Sequence, residues 1–130
     1  MRKRDLERYE RLLKEERARL REQQEELEES VRRSIRDSSG DLSAYAFHMA
    51  DLGTDAMERE QNMLLAASLS RTLEDIELAL RKIAENRYGP CDNCGNPIDP
   101  KRLDALPYAR FCMTCQENED RAKSGGAGRP

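Results

Sequence analysis

The chain has 130 residues and a formal net charge of −3; 38% of its side chains are charged, only 5% are aromatic, and there is no tryptophan. That composition excludes a thick globular core and favours long helices with one narrow apolar seam. The acidic balance argues against nucleic acid as the main partner, and the mixed signs with a small net charge argue against disorder.

Residues 1–3 add no apolar run. The basic start Met1-Arg2-Lys3-Arg4 leads into charged residues, so no secretory signal is expected. No stretch of about eighteen apolar residues exists, so no membrane span is expected. A cytoplasmic chain with reduced thiols follows.

Residues 4–36 predict one long helix. The segment is rich in Glu, Arg, Leu and Gln and lacks Gly and Pro. Leu6, Leu13, Leu20 and Leu27 recur every seven residues, and Val31 and Ile35 continue the stripe. Tyr9, Glu16 and Gln23 stand at the alternate positions, so the seam is half polar. The Ser/Asp cluster with Gly40 predicts a break over residues 37–43. A tip of about 37–54 separates this helix from a second one at about 55–86, which starts near Asp51 or Asp55, with Asp55 and Glu58 placed as a capping box. Its seam is cleaner: Ala66, Leu69, Leu73, Ile76, Leu80 and Ile83. Two long helices with a connection of modest length predict an antiparallel hairpin, residues 1–86. Thirty-odd residues at 1.5 Å each give an arm of roughly 45–50 Å. Such an arm buries little apolar area and needs an anchor at its base. Asn86-Arg-Tyr-Gly-Pro90 predicts the end of the helix, with Gly-Pro as its stop. Residues 87–123 then form a small module with a short helix from about Thr114 to Lys123, and 124–130 read as a flexible tail.

All four cysteines fall in this module, as Cys91-x-x-Cys94 and Cys112-x-x-Cys115 with seventeen residues between the pairs. Two such pairs are a strong zinc signature. Each forms a tight knuckle whose sulfurs take two corners of a tetrahedron with Zn–S near 2.3 Å, as zinc thiolates do. Gly95 suits a turn that aims backbone N–H groups at sulfur. Four protein ligands leave no open position, which makes the Zn2+ structural and not catalytic. A redox dithiol and disulfides are the alternatives; the missing βαβ pattern counts against the first and the reduced compartment against the second. The fold class is therefore mainly α: a long antiparallel coiled-coil hairpin anchored to a small four-cysteine zinc finger with a short C-terminal helix.

Residues beyond the ligands sharpen this. Arg87-Tyr-Gly-x-Cys91-x-x-Cys94-Gly-x-x-Ile98, then Arg102-Leu-x-Ala-x-Pro107, then Cys112-x-x-Cys115, resembles the DksA/TraR zinc-finger family. The resemblance implies a regulator that binds RNA polymerase directly, without sequence-specific DNA contact. It implies an arm entering the secondary channel, and a tip acting near the catalytic centre on the lifetime of promoter complexes. On the family's tip pattern of Asp-x-x-Asp-x-Ala stand His48, Asp51 and Gly53 here. The second Asp is kept as Asp51, and His48-Met-Ala-Asp-Leu52 is closer to the His-Pro-Ala-Asp-Leu tip of other branches. Asp51 also reads as a plain cap of the second helix. His48, the only histidine, reads as an exposed tip residue. The founding branch binds the alarmone guanosine tetraphosphate on a mostly basic patch. Ser68, Thr72, Asp75 and Gln116 match that patch here and none is basic, so a weak or absent response is expected.

Two other classes compete. A zinc-ribbon nucleic-acid binder would use Lys101, Arg102 and Arg110 on phosphates, but the acidic total and few aromatics oppose it. A coiled-coil scaffold would dimerise through the seam, whereas a monomer is expected here. An enzyme is not expected, because no nucleophile–base pair or phosphate loop is present.

Overall fold

The computed structural model describes residues 1–39 and 52–125, with side chains over most of that range. Four helices are present among them: α1 (Lys3–Ser39), α2 (Leu52–Ala84), α3 (Pro100–Ala105) and α4 (Met113–Gly125). There is no strand among the described residues, only an isolated antiparallel bridge between Pro90 and Pro97.

α1 and α2 pack as an antiparallel hairpin. The seam residues of α1 turn inward as the heptads require, with Leu13 and Leu20 buried and Leu6, Leu27 and Val31 half-buried. On α2, Ile76 is buried and Ala66, Leu69, Leu73, Leu80 and Ile83 are half-buried. Tyr9 departs from its expected weak place in the seam. It is only 2% exposed. Its ring lies 5.4 Å from that of Tyr88, tilted by 47°, and its hydroxyl donates to Asp104 Oδ1 at 2.8 Å. A tyrosine at a seam position can be buried because its polar end finds an acceptor.

α1 continues through Ser39, beyond the expected break at residue 37. α2 begins at Leu52, in line with the earlier of the two expected starts, and Asp55 lies within the helix. The stop of α2 is also not the Gly-Pro pair. Asn86 takes the left-handed conformation with φ 57. Its N–H donates to Ile83 O at 3.2 Å, and the Arg87 N–H to Lys82 O at 2.7 Å. These two bonds are the Schellman pair, and they satisfy carbonyls that the last turn leaves open. Gly-Pro is the louder signal in the sequence, yet the chain has already left the helix before reaching it.

The chain divides into two compact units. One, the cysteine unit, comprises Met1–Glu16 and Glu74–Pro130; the other, the hairpin unit, comprises Arg17–Leu73. Among the described residues, nine of the ten buried apolar ones belong to the first, so their core lies there. It is closed by Leu13, Ile76 and Leu103, each under 2% exposed. α3 was not foreseen in the sequence. Asp99 caps it by accepting from the Lys101 N–H at 3.0 Å, and Pro100 occupies the first helical position. Its one buried side chain is Leu103.

Candidate metal centre

The two knuckles arise from different local structures. The first is a turn enclosed by the Pro90–Pro97 bridge. Cys91 N–H donates to Asn96 O at 2.8 Å and Gly95 N–H to Cys91 O at 3.0 Å. Gly95 has φ 75, which a side chain would strain. Its N–H closes the knuckle onto the Cys91 carbonyl, and the turn aims the backbone N–H groups of Asn93 and Cys94 at the Cys91 sulfur, as expected. The second knuckle is the start of α4: Cys112 precedes Met113, and Gln116 N–H donates to Cys112 O at 2.9 Å.

The sulfurs of Cys91, Cys94, Cys112 and Cys115 all lie within 4.8 Å of one another. Cys94 and Cys112 are 3.8 Å apart. A tetrahedron with Zn–S of 2.3 Å has edges of about 3.8 Å, so the spacing fits that ion. Cys91 and Cys115 are buried, Cys112 is half-buried and Cys94 faces out. All four are free of disulfides.

The electrostatics of the cluster call for a cation. Burial pushes the Cys91 thiol up, but the backbone N–H groups of Cys94, Cys112 and Asn93 outweigh it and draw it down to about 6. The Asn93 amide, 3.4 Å from the Cys115 sulfur, favours a thiolate there too. The neighbouring Cys112 thiol, burial, and then Cys91 and Cys94 push the other way, to about 12. One thiolate thus forms readily and makes the next costly. A dication removes that conflict.

Around the knuckles runs a charge network that motif spacing did not reveal. Asp92, next to Cys91, pairs with Lys82 of α2 and accepts from Arg110 Nε at 3.0 Å. The Asp92 N–H donates to Arg110 O at 2.8 Å. Arg110 also lies 3.8 Å from Asp75 of α2. Burial would raise the Asp92 carboxyl, but the Lys82 and Arg110 bonds hold it below its ordinary range. Tyr88 donates its hydroxyl to Pro107 O at 2.7 Å, and burial pushes that phenol above its usual range. The network and the tyrosines fix the loops that carry the cysteines to the ends of α1 and α2. Of these side chains, Tyr9 and Tyr88 were visible as rare aromatics; the partners of Asp92 depend on how the chain returns.

The other predicted residues fall as follows. His48 and Asp51 lie outside the described residues. Gly53 is in the first turn of α2. Arg110 is engaged by two carboxylates and Arg102 Nε donates to Phe111 O at 3.0 Å. Two of the three cations that a phosphate would need are therefore already engaged. Among the alarmone positions, the Thr72 hydroxyl donates to Ser68 O at 3.2 Å and Gln116 to Asp120 at 3.0 Å. The Asp75 carboxyl is raised by burial, partly opposed by Arg110.

Residues 86–121 match the prokaryotic dksA/traR C4-type zinc finger. An uncharacterized protein of Aquifex aeolicus (strain VF5) is 34% identical over 121 residues, covering 93% of this chain and 80% of that protein. The chain belongs to the DksA/TraR zinc-finger family. The uncharacterized protein YteA of Bacillus subtilis (strain 168) is 42% identical over 73 residues, which cover 56% of this chain and 30% of YteA. The RNA polymerase-binding transcription factor DksA of Caulobacter vibrioides (strain NA1000 / CB15N) is 29% identical over 96 residues, 72% of this chain and 68% of that one. The family's fold is also seen here: transcription factor DksA2 from Pseudomonas aeruginosa superposes with a TM-score of 0.74 at 24% identity, over 94% of this chain and 88% of that one. Among the described residues no helix is long and apolar enough to cross a membrane.

Proposed function

We propose that this chain is a bacterial, cytoplasmic transcription regulator that binds RNA polymerase directly. In this reading it inserts its hairpin tip into the secondary channel and modulates promoter-complex stability and initiation. The observation that carries the proposal is the four-sulfur cluster, all within 4.8 Å, inside the segment that matches the family's zinc finger. The Caulobacter relative supports it, since that protein is an RNA polymerase-binding transcription factor.

Cys91, Cys94, Cys112 and Cys115 are the proposed ligands of one structural Zn2+. When bound, the ion neutralises the thiolates and cross-links the two knuckles. The chain's own residues do the rest. Asn93 supports the Cys115 sulfur, and Lys82, Asp92 and Arg110 tie the first knuckle to α2. The division of labour follows the expected domains: a hairpin over 1–86, a finger over 87–123 and a tail over 124–130. Asp51, with His48 and Gly53, is the proposed polymerase-modulating tip. A closed four-thiolate site gives no catalytic position, and the reading includes no enzymatic activity. It includes a monomer, no sequence-specific DNA contact, and little response to guanosine tetraphosphate, since Asp75 brings negative charge to the matching position.

Retention of core RNA polymerase by the immobilised, zinc-loaded chain tests the proposal. Stoichiometric retention in moderate salt is expected. No association would overturn it. Adding guanosine tetraphosphate is expected to leave the chain's effect on transcription unchanged.

A further inference from the structure

The hairpin unit carries an apolar surface that its own seam does not use. Leu64 and Leu65 of α2 are 64% and 50% exposed, and Met57, one face-repeat away from Leu64, is 60% exposed. Leu65 and Leu69 face Leu27, Gln23 and Glu26 of α1 across a groove of about 220 Å³. Beside it the Gln24 amide donates to the Ser70 hydroxyl across the two helices at 2.5 Å. Exposed Leu65 on the rim of a groove floored by half-buried Leu27 and Leu69 makes an apolar slot open to a partner.

Charge says which partner. The α1 side of the groove is the run Glu22-Gln-Gln-Glu-Glu-Leu-Glu28. Glu22, Glu25, Glu26 and Glu28 are exposed, and none of them makes an ion pair among the described residues. The contrast is one turn further on, where Glu29 binds Arg32, Arg33 and Arg36. Glu26 lines the groove and Glu22 stands one turn before it on the same ridge. An apolar slot with an unneutralised carboxylate rim fits an amphipathic helix whose apolar stripe is flanked by lysines or arginines.

We propose that the groove at Leu27, Leu65 and Leu69 is the docking site for a basic amphipathic helix of a partner protein. This site shares no residue with the cysteine cluster or with the proposed tip residues His48, Asp51 and Gly53. The probe is a short synthetic helix of leucine and lysine, titrated by fluorescence anisotropy against the full zinc-loaded chain. A helix with the same leucine pattern and glutamate for lysine is the control. The basic helix should bind, weakening with salt, and the acidic one should not. Leu65→Gln should weaken binding at least about tenfold. Glu22→Gln with Glu26→Gln should weaken it comparably and flatten the salt dependence. Both variants should keep the wild-type helical circular dichroism, since each changes exposed or half-exposed side chains. Equal binding by the acidic helix, or unchanged binding by Leu65→Gln, would overturn the proposal. So would a concentration-dependent dimer that Leu65→Gln abolishes, because a second copy would then own the face.

Discussion

The cysteine unit and the hairpin unit use the same two helices to opposite ends. In the first, α1 and α2 meet a third layer of loops, α3 and α4, and bury Tyr9, Leu13, Ile76, Ala79, Tyr88, Ile98 and Leu103. In the second, the described residues belong to these two helices alone, and Leu20 alone among them is buried. Two helices can bury one stripe each, whereas a third layer closes the core from the side. The difference teaches where stability resides. The cysteine unit should resist opening, and the hairpin unit should open locally at low cost.

Metal removal is the hardest blow to that contrast. A chelator, or Cys115→Ser, takes away a cross-link that in small zinc modules supplies roughly 10 kcal/mol or more of folding free energy. Amide hydrogen exchange should then show protection lost first over residues 86–121. The hairpin amides should change little, being weakly protected already. Full protection without metal would break the account.

Next come the apolar side chains, compared between the units. Ile76→Ala empties a site with no exposure and should cost about 2–5 kcal/mol, read as a fall in denaturation midpoint. Leu65→Ala, on a half-exposed residue, should stay within about 0.5 kcal/mol. Similar costs for the two would erase the distinction drawn here.

Tyr88→Phe sharpens the same point on a polar contact. It leaves the buried Pro107 carbonyl without its hydroxyl donor and should cost about 1–3 kcal/mol in the cysteine unit. A neutral result would mean that water replaces the hydroxyl.

The smallest expected effect is on pH. Hydrogen bonds from the Tyr9 hydroxyl and the Arg8 guanidinium hold the Asp104 carboxyl below its ordinary range. A depressed folded value stabilises the fold above the unfolded carboxylate pKa of about 4, and that stability is lost as pH falls through the folded value. Asp104→Asn should therefore remove part of the acid dependence of the melting temperature and leave the remaining slope intact. The pair is solvent-exposed, so the change should be small.

What the sequence disclosed follows from which signals are local. Heptad leucines announce a helix because the period repeats over many turns, and the four cysteines announce a cluster because two spacings agree. α3 escaped notice because six residues with one buried leucine hold no period, although Asp99-Pro100 is a cap followed by a first-turn proline. The end of α2 was assigned to Gly-Pro because asparagine enters the left-handed region less often than glycine, yet Asn86 does so here. The partners of Asp92 were unreadable, since Lys82 and Arg110 reach it only once the knuckle has formed. Leu64 and Leu65 fall outside the seam that periodicity picks out, but the groove beside Leu65 depends on where Leu27 of the opposing helix is placed. His48 and Asp51, the tip residues named from the family resemblance, lie outside the described residues.

The central claim is a division of labour: the cysteine unit holds the molecule together, and the tip carries the effect on transcription. The lifetime of promoter complexes, measured with wild-type chain and with Asp51→Asn, tests it most directly. The account predicts that both proteins associate with polymerase, that wild type changes the lifetime, and that Asp51→Asn leaves it near the factor-free value. Association with wild type that leaves the lifetime unchanged, or an Asp51→Asn chain that acts as wild type does, would contradict it.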